Sequence, residues 1–331
     1  MPRRPRPSRA AAALALALLV TACGGGSDPA APDTVADPGA ADLELAIAPA
    51  SFDVAVGTGR RLLLAVFTAD RERVAGGTVR VRLGHLGAEA GGTAALGAPV
   101  TATWLPVPGL DVAAPATGPD VVSGGVLTGV YDARVDLDAA GYWGVLVEAE
   151  LTDGRTARGR AIVPVLAEPA ATAVGDPAPD VPNVVTADVL AGTAPAAELD
   201  SRLRSADEPD RAAVLHTTRI PEALAEGRPL VVAVATPVYC QSLVCGPLTE
   251  HLTTLAERYG DRAAFVHVEV WRDFAAQELS PAAAAWIRTE TGGNEPWVFL
   301  VGADGRVAAR WDNVLDTVEL EALLAALPPD A

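Results

Sequence analysis

The sequence contains no lysine, so all 25 of its basic residues are arginine. It has one methionine, four histidines and three cysteines in 331 residues. Each shortage excludes something. With 42 acidic side chains the formal net charge is −17, which argues against an electrostatic hold on nucleic acid or on anionic lipid. The four scattered histidines and three cysteines make no zinc spacing, so neither a metal nor a cofactor is assigned. A phosphate-binding glycine loop and a Ser/His/Asp arrangement are also missing. The apolar run Ala10 to Val20 is too short to span a bilayer by itself.

What is present begins at the N-terminus. Arg3, Arg4, Arg6 and Arg9 precede that apolar run, which ends in Val20-Thr21-Ala22-Cys23-Gly24. Residues 1–22 therefore read as an export signal. The segment resembles the lipobox of bacterial lipoproteins, which implies that Cys23 is acylated and becomes the first residue. The membrane is then a partner through lipid on Cys23. The expected location is the extracytoplasmic face of the cell membrane, or the outer membrane where the organism has one. Loss of the signal's four arginines and no acids takes the charge from −17 to about −21. Residues 23–41 are rich in Gly, Pro, Ala and Asp without apolar periodicity, as in a flexible tether. An oxidising exterior allows the other two cysteines, Cys240 and Cys245, to pair.

Residues 42–166 read as all-β. Leu62 to Phe67, Thr78 to Leu83, Gly129 to Leu137 and Tyr142 to Leu151 are candidate strands, several alternating apolar with polar. Asp153-Gly154 is a hairpin turn before Arg158 to Val165. Thr128 to Tyr131 and Ala140 to Val147 resemble the last strands of immunoglobulin-like bacterial exterior domains, which implies an antiparallel sandwich with Trp143 in its core. Residues 167–183 are Pro-rich and read as a semi-extended linker without a core.

Residues 184–331 alternate strand and helix. Leu230 to Ala235 is a continuous apolar strand, as in the middle of a parallel sheet. It leads through Pro-Val-Tyr239-Cys240-Gln-Ser-Leu-Val-Cys245-Gly-Pro into a helix from Pro247 to Tyr259. A helix N-terminus stabilises a thiolate. Further strands are expected at Ala264 to Trp271, Pro296 to Val301 and Arg306 to Trp311, with a closing amphipathic helix at Thr317 to Leu327.

This order, with its thiol loop, resembles the thioredoxin fold from about Pro221 to Leu327. The resemblance rests on Tyr239 before the first cysteine, on Glu295-Pro296-Trp297 opening a strand, and on the Val301 to Val307 hairpin followed by a helix. It implies an α/β thioredoxin-like domain after the immunoglobulin-like sandwich, with a cis-proline at Pro296 beside the thiols. The chain departs from that family in its C-x4-C spacing, in Leu248 where Cys-Gly-Pro-Cys has its second cysteine, and in Val234 where the family has a buried Asp. The resemblance implies thiol–disulfide exchange, with Cys240 attacking, Cys245 resolving and exported protein thiols as partners. Tyr239, His267 and Glu269 are expected to surround the thiols. His267 and Glu269 share one strand face, where they act as a relay or metal ligand near the thiols, sit at an exposed strand end, or bond each other as a structural pair. Two alternatives stay open. One is Cu(I) held by the two thiols with His267. The other is a static disulfide in a scaffold protein.

Overall fold

The run 62–67 is apolar on both faces, and the architecture follows from why. The computed structural model describes residues 40–110, 118–123, 128–240, 244–289 and 294–329. Its first strands are β1 (Leu43–Pro49), β2 (Gly57–Thr68), β3 (Arg73–Ala75), β4 (Thr78–Gly87), β5 (Val100–Pro106), β6 (Asp120–Val122), β7 (Gly129–Leu137), β8 (Gly141–Glu150) and β9 (Thr156–Val165). They form one sheet in the order β1-β9-β8-β4-β5-β7-β2-β3-β6. β1 pairs parallel with β9 and antiparallel with β2, so the sheet closes on itself. Along β2, Leu62, Leu64 and Val66 point into this barrel with Tyr131, Val145 and Trp143. The alternate residues Leu63 and Ala65 point outward, where Val130, Val244 and Val314 cover them. Period-two alternation places successive side chains on opposite faces, and here both faces are buried.

The later elements are α1 (Thr186–Leu190), α2 (Ala196–Leu199), a 3-10 turn (Ala213–His216), α3 (Ile220–Ala225), β10 (Leu230–Ala235), α4 (Cys245–Tyr259), β11 (Ala264–Glu269), β12 (Trp271–Asp273), β13 (Glu278–Leu279), α5 (Pro281–Ile287), β14 (Trp297–Val301), β15 (Val307–Asp312) and α6 (Thr317–Ala326). Four strands form a sheet in the order β11-β10-β14-β15, in which only β10 and β11 run parallel. Leu230, Val232 and Val234 pack with Ile220, Ala283 and Trp286 from α3 and α5. Val231 and Ala233 face the other way, onto Leu248, Leu252, Leu320 and Leu324 from α4 and α6. Burial on both faces explains the unbroken apolar run of β10.

These findings correct the expected fold class. Strand accounts for 38% of the described residues and helix for 19%, so the fold is mostly β, with a seven-strand barrel. An immunoglobulin-like sandwich needs two separate sheets, whereas the pairing of β1 with both β2 and β9 makes one closed sheet. No α/β thioredoxin-like domain is evident as a body of its own. The four-stranded sheet carries one parallel pair, Val244 and Val314 next to its α4 and β15 share a core with the outer face of the barrel, and the described residues pack as one unit.

The Pro-rich stretch at 167–183 has a packed place too. Ala171 and Thr172 are buried. Gly175 N–H donates to the Val307 carbonyl at 2.8 Å, Val307 N–H donates to Asp176 at 3.0 Å, and Ala178 N–H donates to Gly305 at 2.9 Å. Backbone bonds of this kind leave no trace in side-chain periodicity. Gly154 takes φ +86° in the β8–β9 hairpin, where the sequence placed the turn. Among the described residues no helix is long and apolar enough to cross a membrane.

Candidate functional site

β10 ends at Ala235, and the chain turns over Pro237, Val238 and Tyr239 to reach Cys240. Cys240 N–H donates to the Thr236 carbonyl at 3.1 Å, which closes that turn. Cys240 and Cys245 form a disulfide with their Cα atoms 6.1 Å apart. Cys245 is the first residue of the 15-residue helix α4, whose N-terminus has no side-chain cap. Its first-turn N–H groups therefore meet no capping side-chain oxygen, and the helix dipole adds positive potential there. Cys240 is 6% exposed and Cys245 is 0% exposed, so Cys240 is the cysteine nearer the surface. Ala235 packs against both cysteines.

Glu269 lies in register with Ala235 on the neighbouring strand. Its carboxylate accepts from Ser201 N–H at 2.8 Å, Val270 N–H at 2.9 Å and Trp271 N–H at 3.4 Å. The Ser201 hydroxyl accepts from Val238 N–H at 3.1 Å, so the carboxylate is tied through Ser201 to the loop that carries Cys240. Burial pushes the Glu269 carboxyl up to about 7, against hydrogen bonds that favour its charged form. Pro296 follows a cis peptide bond. Trp297 pairs with Val234, which sets Pro296 at the level of Ala235 across β10. Burial also pushes the carboxyl of its neighbour Glu295 up to about 7. Tyr239 stacks on Phe274 with ring centroids 3.9 Å apart, and Trp271 meets Phe274 edge-on. With exposed Val238, these rings border the disulfide loop with an apolar surface.

His267 also lies beneath α4, but its nitrogens are engaged elsewhere. Nε2 faces the Ala235 carbonyl at 3.0 Å, so that nitrogen carries the proton. Burial holds the ring neutral, with its pKa lowered to about 4. Nδ1 therefore accepts, and it does so from His216 Nε2 at 2.9 Å. His216 Nδ1 faces Asp210 Oδ2 at 2.6 Å. Against burial, which raises it, the bond from His216 holds the Asp210 carboxyl below its ordinary value. Asp200 is buried as well. Against burial, its bonds from Arg202 hold it below the usual carboxylate range. Arg202 donates to it from its backbone N–H at 2.9 Å, from Nε at 3.0 Å and from Nη2 at 2.6 Å.

No protein-family model and no curated protein matches the chain. Among solved structures, it is similar to the PKD domain of an M14-like peptidase from Thermoplasmatales archaeon SCGC AB-540-F20. That similarity has 12% identity and a TM-score of 0.19, over 38% of this chain and 99% of that one. At such a score it carries no argument about this protein.

Of the residues singled out from sequence, Cys240, Cys245, Glu269 and Pro296 gather at one end of the four-stranded sheet. Tyr239 stands at its rim. His267 does not bond Glu269; it points to His216. Cys23 lies outside the described residues. His216, Asp210 and Asp200 were missed. They fall in 184–219, a stretch of short helical turns without periodicity. The one available signal was His216 directly after the apolar run Ala212 to Leu215.

Proposed function

We propose that this protein is a lipid-anchored, extracytoplasmic thiol–disulfide exchange protein acting through Cys240 and Cys245. The observation that carries the proposal is a disulfide at an uncapped helix N-terminus, with one cysteine nearer the surface and the other fully buried. In the reduced state the Cys240 thiolate attacks a sulfur of a partner's disulfide. One Sγ–S bond forms, and the partner's S–S bond breaks with release of a thiolate. Cys245 then attacks Cys240 Sγ, the mixed disulfide breaks, and the partner leaves as a dithiol. Two electrons have passed to the partner, and Cys240–Cys245 is oxidised. Exported protein dithiols run the sequence in reverse.

Glu269, in register with Ala235, which packs against both cysteines, is the group that takes the proton Cys245 loses and returns it on reduction in this reading. The burial of both sulfurs favours a second reading, a permanent brace for the loop. A trapping experiment separates the two. The reduced Cys245→Ser chain, mixed with a small peptide disulfide, forms a stable adduct on Cys240 that mass spectrometry locates. A brace gives no adduct, or one no faster than an unstructured thiol.

A further inference from the structure

The buried series Asp210, His216, His267 ends on the peptide carbonyl of Ala235. A proton relay needs a titratable group at each end, and a carbonyl is not one, so the series passes nothing to the thiols. What the series does is aim two imidazole nitrogens at each other. His216 has Nδ1 held by Asp210, and His267 has Nε2 held by Ala235. The remaining nitrogens, His216 Nε2 and His267 Nδ1, are 2.9 Å apart, within hydrogen-bond distance. A buried carboxylate oxygen of Asp200 joins them, and all three ligand atoms lie within 4.8 Å of one another.

In metal sites, a carboxylate or carbonyl on the far nitrogen of a histidine fixes the tautomer and raises ligand basicity. Both histidines have such a partner here. We infer that Asp200, His216 and His267 form a site for a divalent ion of the zinc class. Two imidazoles and one carboxylate suit zinc and lack the soft thiolates that Cu(I) selects. Metal–nitrogen bonds of about 2.0–2.1 Å at a tetrahedral ion place two nitrogens about 3.3 Å apart. The pair therefore needs to open by only a few tenths of an ångström.

Arg202 uses part of the lone-pair capacity of Asp200 and fixes the carboxylate's orientation. A cavity of 390 Å³ lined by Asp200, Arg202, Glu208, Asp210, Arg211 and Glu250 opens beside the carboxylate of this site, and neither histidine lines it. This site stands apart from the thiol reading, and neither depends on the other.

The test uses the full chain purified in detergent, stripped with a chelator, with Cys240–Cys245 kept oxidised. It is titrated with Co²⁺ and then Zn²⁺. One equivalent of Co²⁺ is expected to give the visible bands of a tetrahedral ion, and Zn²⁺ is expected to displace it. Asp210→Asn is expected to weaken binding about 10- to 100-fold, and His216→Gln to abolish the bands. Where His216→Gln fails to fold by far-UV dichroism, Asp210→Asn decides. The double Cys240→Ser/Cys245→Ser chain is expected to bind as the parent does. Absence of stoichiometric binding overturns the inference. So does binding unchanged by Asp210→Asn, or binding lost with the cysteines.

Discussion

Arg61 on β2 donates from Nη1 to the backbone carbonyl of Asp312 at 3.0 Å, joining the barrel to the end of the second sheet. Its Nε donates to the Asp132 carboxylate at 2.7 Å, and its Nη2 donates to the Val314 carbonyl at 2.6 Å. Burial raises the Asp312 carboxyl, and the charge of Arg61 opposes that. Removing one member of a buried charge group leaves its partners uncompensated, at a cost of about 3–5 kcal/mol. Arg61→Leu is expected to lose that much in urea denaturation. Arg134→Ala removes a pair to Glu319 in which the arginine is 49% exposed, and is expected to cost under about 1 kcal/mol. Equal losses would refute this account of the joint.

The shared core makes a second prediction. Leu63 is fully buried between the barrel wall, Val244 and Val314. Leu63→Ala is expected to cost about 2–5 kcal/mol. Amide exchange is expected to quicken in β7 and in β10 together. A response confined to the barrel would mean that the two parts are thermodynamically separate.

Much of this was legible in sequence, and the parts that were not have physical reasons. Leu230–Ala235 and Gly129–Leu137 were placed at their observed bounds, because a buried strand must be an apolar run or an alternation. Closure of the barrel was not legible. It depends on Leu43 pairing with Ala157 and Leu45 with Thr68, and such long-range register leaves no local signal. At the site, the alternation that put His267 and Glu269 on one face held, since both lie on β11. Their partners could not be read, because Ser201 and His216 come from segments without periodicity.

Glu269 predicts a pH dependence. Its folded carboxyl sits at about 7, above the ordinary 4.5. Between those values the folded protein holds a proton that the unfolded chain has lost, so this group's contribution to stability falls as pH rises from 4.5 to 7. His267, lowered from 6.5 to about 4, works in the opposite direction, with a contribution that rises with pH across that window. Comparing Glu269→Gln with the parent cancels the histidine. The variant is expected to gain relative stability between pH 4.5 and 7, on the order of 3 kcal/mol, and to be flat above. Denaturant melts at pH 5 and pH 8 check this, and a constant difference would contradict it.

Cys23 predicts a count. A cysteine bonded to lipid through its sulfur cannot be alkylated. The full chain recovered from membranes, reduced and denatured, is therefore expected to take two alkyl labels. A third label on Cys23 would end the lipid-anchor proposal.

The central claim is that Cys240–Cys245 exchanges with partner thiols, and a redox titration tests it most directly. The full chain is equilibrated in thiol buffers of graded potential, and reduction is read by alkylation and mass. The account predicts a midpoint within the range of known oxidoreductases, roughly −120 to −270 mV. A bridge still oxidised below about −300 mV would mark a static brace and contradict the claim.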